Sequence, residues 1–370
     1  MRVIFVQKFI PHYRLPFFEA VKRELNNRNI EFHIIYGEAD PFEGSKVKMV
    51  HPEWATKVNS RILKVAGRYI YWQGAAWKLK KGDFVVAEHA AKLLDNYILY
   101  FLSRMGYIHF GYFGHGENFQ AASEFWISRK VKKMMLHNVT RWFAYTEVSR
   151  NSLLSQGVDE NLISVVNNTL EKPYTKTPDF EKQRNKFLFI GGLYANKRPD
   201  LIIAAAEIVA IKMAQENEPF ELHIVGEGPL LDVVLEAEAR YDWLTYHGSL
   251  YGDEKEQMLI SSVAILVPWM VGLVAVDSLH FRCPILTTSM AEHSPEVAYL
   301  KHEVNALIGP ENSSVESFAS LIERYICEPG LSDRLQNGCG EDADRYTISA
   351  MAESFISGVD LVYKNKNCSA

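Results

Sequence analysis

The sequence has few cysteines and no CxxC pair. Its four, Cys283, Cys327, Cys339 and Cys368, lie far apart, and no histidine cluster with metal-ligand spacing accompanies them. That pattern excludes a disulfide framework and a zinc-ribbon site, and it points to free thiols in a reducing compartment. Long apolar runs are missing too. The longest candidate, Leu93 to Phe110, is interrupted by Asp95, Asn96, Arg104 and His109, so no membrane span is expected. The first residues, Met1 to Gln7, run straight into Lys8 and Pro11, which is not the pattern of a secretory leader. The triplets at Asn138, Asn167 and Asn312 therefore read as chance matches to a glycosylation acceptor. The expectation is a soluble, cytoplasmic protein.

With 48% hydrophobic and 23% charged residues, the 370-residue chain is globular and long enough for two cores. The net charge of −5 conceals an asymmetry. Residues 1–170 carry 23 Lys and Arg against 15 Asp and Glu, whereas residues 171–370 carry 17 against 30. Two halves with different partners are one reading and ordinary drift is the other.

Short apolar runs alternate with helical patterns: RVIFV, FHIIY, FVVAE, YIHFGYFG, WFAYT and LISVVNN in the first half. A polar stretch with two prolines then reads as a linker, and FLFIGG, ELHIVG, WLTYHGSL, VAILVP and PILTT restart the pattern. Such alternation predicts α/β structure, with two Rossmann-like doubly wound parallel-sheet domains facing a cleft. The expected divisions are 1–172, a linker at 173–186, a second domain at 187–345, and a helix at 346–370 packing back toward the first domain.

Ligands of doubly wound sheets sit at the carboxyl ends of strands, so the strand-ending loops select the candidates. GGLYANKRPD gives Gly191 and Gly192 for close backbone approach, then Lys197 and Arg198 before a helix, a pair suited to phosphates. VGEGPLL has Gly226 and Gly228, but the third fingerprint glycine is replaced by Leu231 and no acidic residue follows at the required distance, so a nicotinamide site is rejected. VPWMVGLVAVDSL carries Gly272 where a strand becomes a helix predicted over 272–281, with Asp277 following. In the first half, FGHGEN sets His115 between glycines after a strand, and IPHYR offers His12 and Arg14. Residues 54–81 interleave Lys57, Arg61, Lys64, Arg68, Lys78, Lys80 and Lys81 with Trp54, Tyr69, Tyr71, Trp72 and Trp77; SRKVKKMMLHNVTRW adds Arg129, Lys130, Lys132, Lys133 and Arg141. An anionic membrane surface or an ordinary solvated face suits these stretches better than nucleic acid.

The order GGLYANKRPD, HIVGEGP, YHGSL, VPWMVGLVAVDSL and CPILTT…HSPEV resembles the donor half of glycosyltransferase family 4, over about residues 187–310. The resemblance is looser over the first half, in the FGHGEN loop and in YTEVSRNSLLSQGVDENLISVVNN. It implies GT-B architecture and a retaining, metal-independent transfer from a nucleoside-diphosphate sugar to a saccharide or lipid-linked acceptor. Polysaccharide or glycolipid synthesis at the inner face of a membrane would be the setting. No cofactor is implied beyond the nucleotide-sugar substrate, and the oligomeric state is left open. Lys197 matches the family lysine on the donor diphosphate; the arginine many members carry earlier falls on Gly192, with Arg198 as the substitute. Asp277 falls on the family glutamate that holds the ribose, and Trp269 falls on the first glutamate, near the transferred sugar. The backbone around Met270, Val271, Gly272 and Leu273 is implied as the phosphate and sugar floor, Leu250 as the base cradle, and Glu296 as the carboxylate after the next strand. His115 is implied as the donor-sugar histidine, which makes His115, Lys197 and Asp277 the catalytic set. His12, Arg14, Glu117 and Asn118 are candidates for the acceptor. Trp269 keeps two other readings open, a nucleotide-sugar epimerase and a non-catalytic donor-binding subunit.

Overall fold

The computed structural model describes residues 2–40, 48–65, 68–116, 134–171, 182–289, 293–311 and 314–368. The chain divides into two units, one formed by Met1–Glu171 with Ile348–Ala370 and the other by Lys172–Thr347. Each has its own parallel sheet.

In unit 1 the strands are β1 (Arg2–Gln7), β2 (Glu31–Tyr36), β3 (Thr56–Lys57), β4 (Arg61–Val65), β5 (Arg68–Trp72), β6 (Phe84–Glu88), β7 (His109–Gly114), β8 (Arg141–Ala144) and β9 (Ile163–Val165). Seven of these form one sheet in the order β3-β2-β1-β6-β7-β8-β9, every pair parallel. The apolar runs are continuous because both faces are covered. Along β1, Val3 and Phe5 enter one core while Ile4 and Val6 enter the other, the two-residue alternation of a strand. The first core lies under α1 (Leu15–Asn27); the second includes Leu99 of α2 (Asp95–Arg104) and Leu153 of α3 (Glu147–Ser155). Thr146 caps α3 by accepting from the Ser149 amide at 3.2 Å.

Unit 2 repeats the plan with β10 (Lys186–Ile190), β11 (Glu221–Val225), β12 (Leu244–Tyr246), β13 (Ala264–Leu266), β14 (Ile285–Thr288) and β15 (Ala306–Gly309), in the order β12-β11-β10-β13-β14-β15. Its helices are α4 (Pro199–Gln215), α5 (Leu231–Arg240), α6 (Gly252–Ser261), α7 (Val274–His280), α8 (Val315–Cys327) and α9 (Leu331–Ala343). The last helix, α10 (Ile348–Cys368), belongs to unit 1. Its Phe355 is fully buried, with ring centroids 4.4 Å from Phe143 and 5.7 Å from Phe17. Gly358 lets α10 approach β8 closely, since a Cβ there would sit 2.5 Å from the Phe143 ring.

In both sheets the winding reverses beside the first strand, between β1 and β6 in unit 1 and between β10 and β13 in unit 2. Chains leaving those two neighbours diverge, which opens a crevice at their carboxyl ends. Several elements depart from the sequence reading. Strands β4 and β5 pair antiparallel, setting Arg61 against Trp72 and Lys64 against Tyr69, where the sequence reading assigns no strands. Tyr71 is wholly buried, and Trp54 packs 6.2 Å from Phe32. Arg141, expected among the surface cations, is 4% exposed. The helix predicted over 272–281 begins at Val274, because residues 267–273 are held as a loop by neighbouring segments.

Candidate functional site

The crevice of unit 2 is built from the loops after β10, β13 and β14. After β10, Gly191 (φ 154°) and Gly192 lead into a short turn ending at Lys197, and Arg198 takes a left-handed conformation (φ 51°) that redirects the chain into α4. Pro199 at the head of α4 suits that start, since it has no amide to satisfy. The second glycine pair has a packing cause: a Cβ on Gly226 would lie 1.9 Å from the Gly191 carbonyl oxygen, and one on Gly228 would lie 2.6 Å from that of Leu193. The Leu193 amide donates to Glu227 at 2.9 Å, so the two loops are laced backbone to backbone.

Residues 267–273 are fastened from both sides. Lys197 Nζ donates to the Met270 carbonyl, and the Met270 amide donates to the Asn196 carbonyl at 3.3 Å. From the β14 side, Thr288 Oγ1 donates to the Pro268 carbonyl at 2.8 Å, and the Ser294 amide donates to the Val271 carbonyl at 3.0 Å. His293 Nδ1 accepts from the Val271 amide at 3.1 Å, which leaves Nε2 to donate to the Thr288 carbonyl at 2.7 Å. Those partners fix the neutral Nε2–H tautomer, and burial together with the Lys197 charge holds the His293 pKa below its ordinary value. Among the described residues, none accepts from the amides of Gly272 and Leu273. A Cβ on Gly272 would meet nothing nearer, among the described residues, than Ser294 Oγ at 3.8 Å, so none of them crowds this backbone.

Lys197 is the cation at this floor. Burial pushes its pKa down to about 8, and the charge of Glu296 pulls against that. Glu296 is 3% exposed in the short turn Pro295–Tyr299. Arg198 is already engaged: its Nε and Nη2 grip Asp200 at 2.8–3.0 Å, and its guanidinium lies 5.6 Å from the Trp269 ring. Trp269 is half-buried, in the position where the resemblance led to the expectation of a carboxylate. Asp277, in the first turn of α7, forms a pair with Lys255 of α6 at 2.8 Å that no motif had indicated. The loop bearing Leu250 is half-exposed after β12.

Of the unit 1 candidates, His115 and Arg14 both lie against the Tyr145 ring. His115 follows β7, half-buried, with its ring edge-on to Tyr145 at 4.5 Å. Arg14 is 5% exposed, whereas His12 is exposed with Nδ1 3.3 Å from the Lys48 carbonyl oxygen. Glu117, Asn118 and the basic cluster at 129–133 lie outside the described residues. Among the described residues, no group of three His, Cys, Asp or Glu side chains is arranged to hold a metal ion.

Residues 184–328 match the family model described as Glycosyl transferases group 1. No curated protein matches the sequence. Solved structures are similar over nearly the whole chain at low identity. A glycosyltransferase from Rickettsia africae is 13% identical, covers 98% of this chain and 99% of its own, and superimposes with a TM-score of 0.69. The lipopolysaccharide outer core galactosyltransferase WaaB gives 13%, 97%, 99% and 0.69 in the same terms. HepE from Anabaena, in complex with UDP, gives 11%, 97%, 100% and 0.68. The chain therefore has the GT-B fold of these proteins, two parallel-sheet α/β domains in one polypeptide.

Proposed function

We propose that this protein is a glycosyltransferase that moves a sugar from a nucleoside-diphosphate sugar to a saccharide or lipid-linked saccharide, with retention of configuration and without a metal. The observation that carries the reading is the floor of the unit 2 crevice. There Lys197 is tied to the Met270 carbonyl beside two amides, of Gly272 and Leu273, that no described residue uses. Such donors suit the charge that develops on a departing diphosphate, and they are held in place before the reaction begins. A structural neighbour of the same fold is in complex with UDP, which supports a nucleotide as ligand.

The other roles follow from chemistry. Lys255 keeps the Asp277 carboxylate oriented, and each oxygen retains lone pairs for ribose hydroxyls. Trp269 offers a ring face to the donor sugar and accepts no hydroxyl hydrogen bond, so sugar selection within unit 2 rests on backbone groups. No nucleophile is assigned, because attack on the same face as departure needs none. Peripheral attachment to an anionic membrane belongs to the same proposal. Leu94, Tyr97, Ile98, Phe101 and Met105 line one exposed face along α2, and Trp77 is 84% exposed beside exposed Lys78, Lys80 and Lys81. Flotation with anionic vesicles at low and high salt tests that part; no binding at low salt removes it.

The central test is a panel of nucleotide sugars with and without glycan acceptors, read by mass spectrometry of nucleotide and product. Transfer or slow donor hydrolysis is expected. Sugar isomerisation without acceptor would make the protein an epimerase, and binding with no turnover would make it a donor-binding subunit. Lys197→Ala and Asp277→Ala both weaken donor binding if the site is right.

A further inference from the structure

The crevice of unit 1 has taken no part in the donor chemistry, yet it too lies where the sheet reverses, between the carboxyl ends of β1 and β6. A pocket of about 210 Å³ opens there, and its lining includes Gln7, Lys8, Tyr13, Arg14, Glu88 and Tyr145, all within unit 1. Pockets for drug-sized ligands run to about 300–1,000 Å³, so this one suits a single sugar ring.

Arg14 gives the pocket its character. Its guanidinium lies 5.5–5.7 Å from the rings of Tyr13, Phe113 and Tyr145, and Nη1 donates to Met351 Sδ at 3.8 Å. Among the described residues no carboxylate pairs with it. A guanidinium cannot give up its proton, so a permanent charge sits at the wall, 5% exposed, with ring faces and a thioether among the described groups against it. Ring faces offset part of the lost hydration and a bound anion would offset the rest. Nearby, Gln7 Nε2 donates to Glu88 Oε2 at 3.1 Å, which leaves the second carboxylate oxygen for a sugar hydroxyl.

We infer that this pocket receives the acceptor as an acidic sugar. Arg14 takes its carboxylate or phosphate, Glu88 accepts from a ring hydroxyl, and Tyr13 and Tyr145 flank the ring. That the bound sugar is an acceptor rests on the glycosyl-transfer reading; the preference for an anion rests on Arg14 alone.

The experiment titrates methyl glucuronide, glucose 1-phosphate and neutral methyl glucoside into the full chain, by ligand-observed NMR and calorimetry. UDP is titrated in parallel. At least one anionic sugar is expected to bind at least about tenfold more tightly than the neutral one, the gain of a charge-assisted hydrogen bond. Arg14→Met removes the preference, and Arg14→Lys retains part of it. Which anion binds separates a uronate from a sugar phosphate. Equal binding of neutral and anionic sugars overturns the proposal, as does a preference that survives Arg14→Met. Displacement of the anionic sugar by UDP also overturns it, since the pocket would then belong to the donor. The wild-type comparison decides the matter even if a variant does not fold. Failure of UDP to bind would remove the glycosyl-transfer reading and leave an anion preference standing.

Discussion

If Lys197 holds the donor diphosphate, nucleotide-sugar affinity should fall as pH rises through about 8, the value to which burial pushes this side chain. With that value, about nine in ten molecules carry the ammonium at pH 7 and about one in ten at pH 9. Apparent affinity scales with the competent fraction, so it should drop about tenfold across that interval. The diphosphate of a nucleotide sugar is fully ionised throughout, so the group that Lys197 meets adds no pH dependence of its own. Lys197→Met removes one charge-assisted hydrogen bond, about 1.5–3 kcal/mol, and should weaken binding about tenfold to 150-fold at pH 7. The variant should also lose the pH dependence. The free protein offers a second reading with a defined sign. The folded pKa lies below the ordinary 10.5, so the unfolded chain holds more protons between about 8 and 10.5, and this residue adds stability as pH rises through that window. Calorimetry of UDP-glucose and GDP-mannose binding from pH 7 to pH 9 checks the affinity, and proton uptake at pH 9 checks the linkage. A nucleotide sugar that binds equally well at both ends of the range, or binds Lys197→Met as it binds the wild type, refutes the reasoning.

The remaining predictions use other parts of the molecule. Gly272→Ala meets no atom of a described residue nearer than 3.8 Å and should leave the melting temperature within a few degrees, while its methyl intrudes on the floor and weakens nucleotide-sugar binding; unchanged affinity would place the donor elsewhere. Phe355→Ala empties a site enclosed by Phe5, Phe17, Phe113 and Phe143, and should cost about 3–5 kcal/mol in chemical denaturation. Of Cys283, Cys327 and Cys339, only exposed Cys327 should react with iodoacetamide in the native protein, read by peptide mass spectrometry. The other two are buried, and burial pushes the Cys283 thiol up to about 11.

Much of this architecture is written in the sequence because parallel strands buried on both faces must be apolar throughout. FVVAE and FLFI are strands on that ground alone, and they stand as β6 and within β10. The glycine and lysine of the β10 loop were equally visible, since close approach and charge each demand particular residues. Pairings between distant segments were not. Nothing near Asp277 signals that Lys255, a full strand and turn earlier, will meet it. Nothing around Arg14 signals that Met351, almost the whole chain away, will close over it. Arg198 read as a phosphate ligand because its charge is visible, but its left-handed backbone turns the side chain to Asp200 two residues on. The pairing of β4 with β5 is hard to read because cations interrupt a short alternation, and β15 with α8 and α9 carry no motif.

The return of α10 to unit 1 has a consequence for synthesis. A ribosome releases β1 to β9 well before it releases Phe355 and Met351, so the aromatic face of that sheet must wait through the translation of all of unit 2. Unit 2 is continuous in sequence and can close as soon as it emerges. The order of birth is then the reverse of the order of completion, and the apolar face of the first sheet is the surface left open longest. Until Phe355 arrives, Phe5, Phe17, Phe113 and Phe143 lack the ring that packs among them in the finished unit.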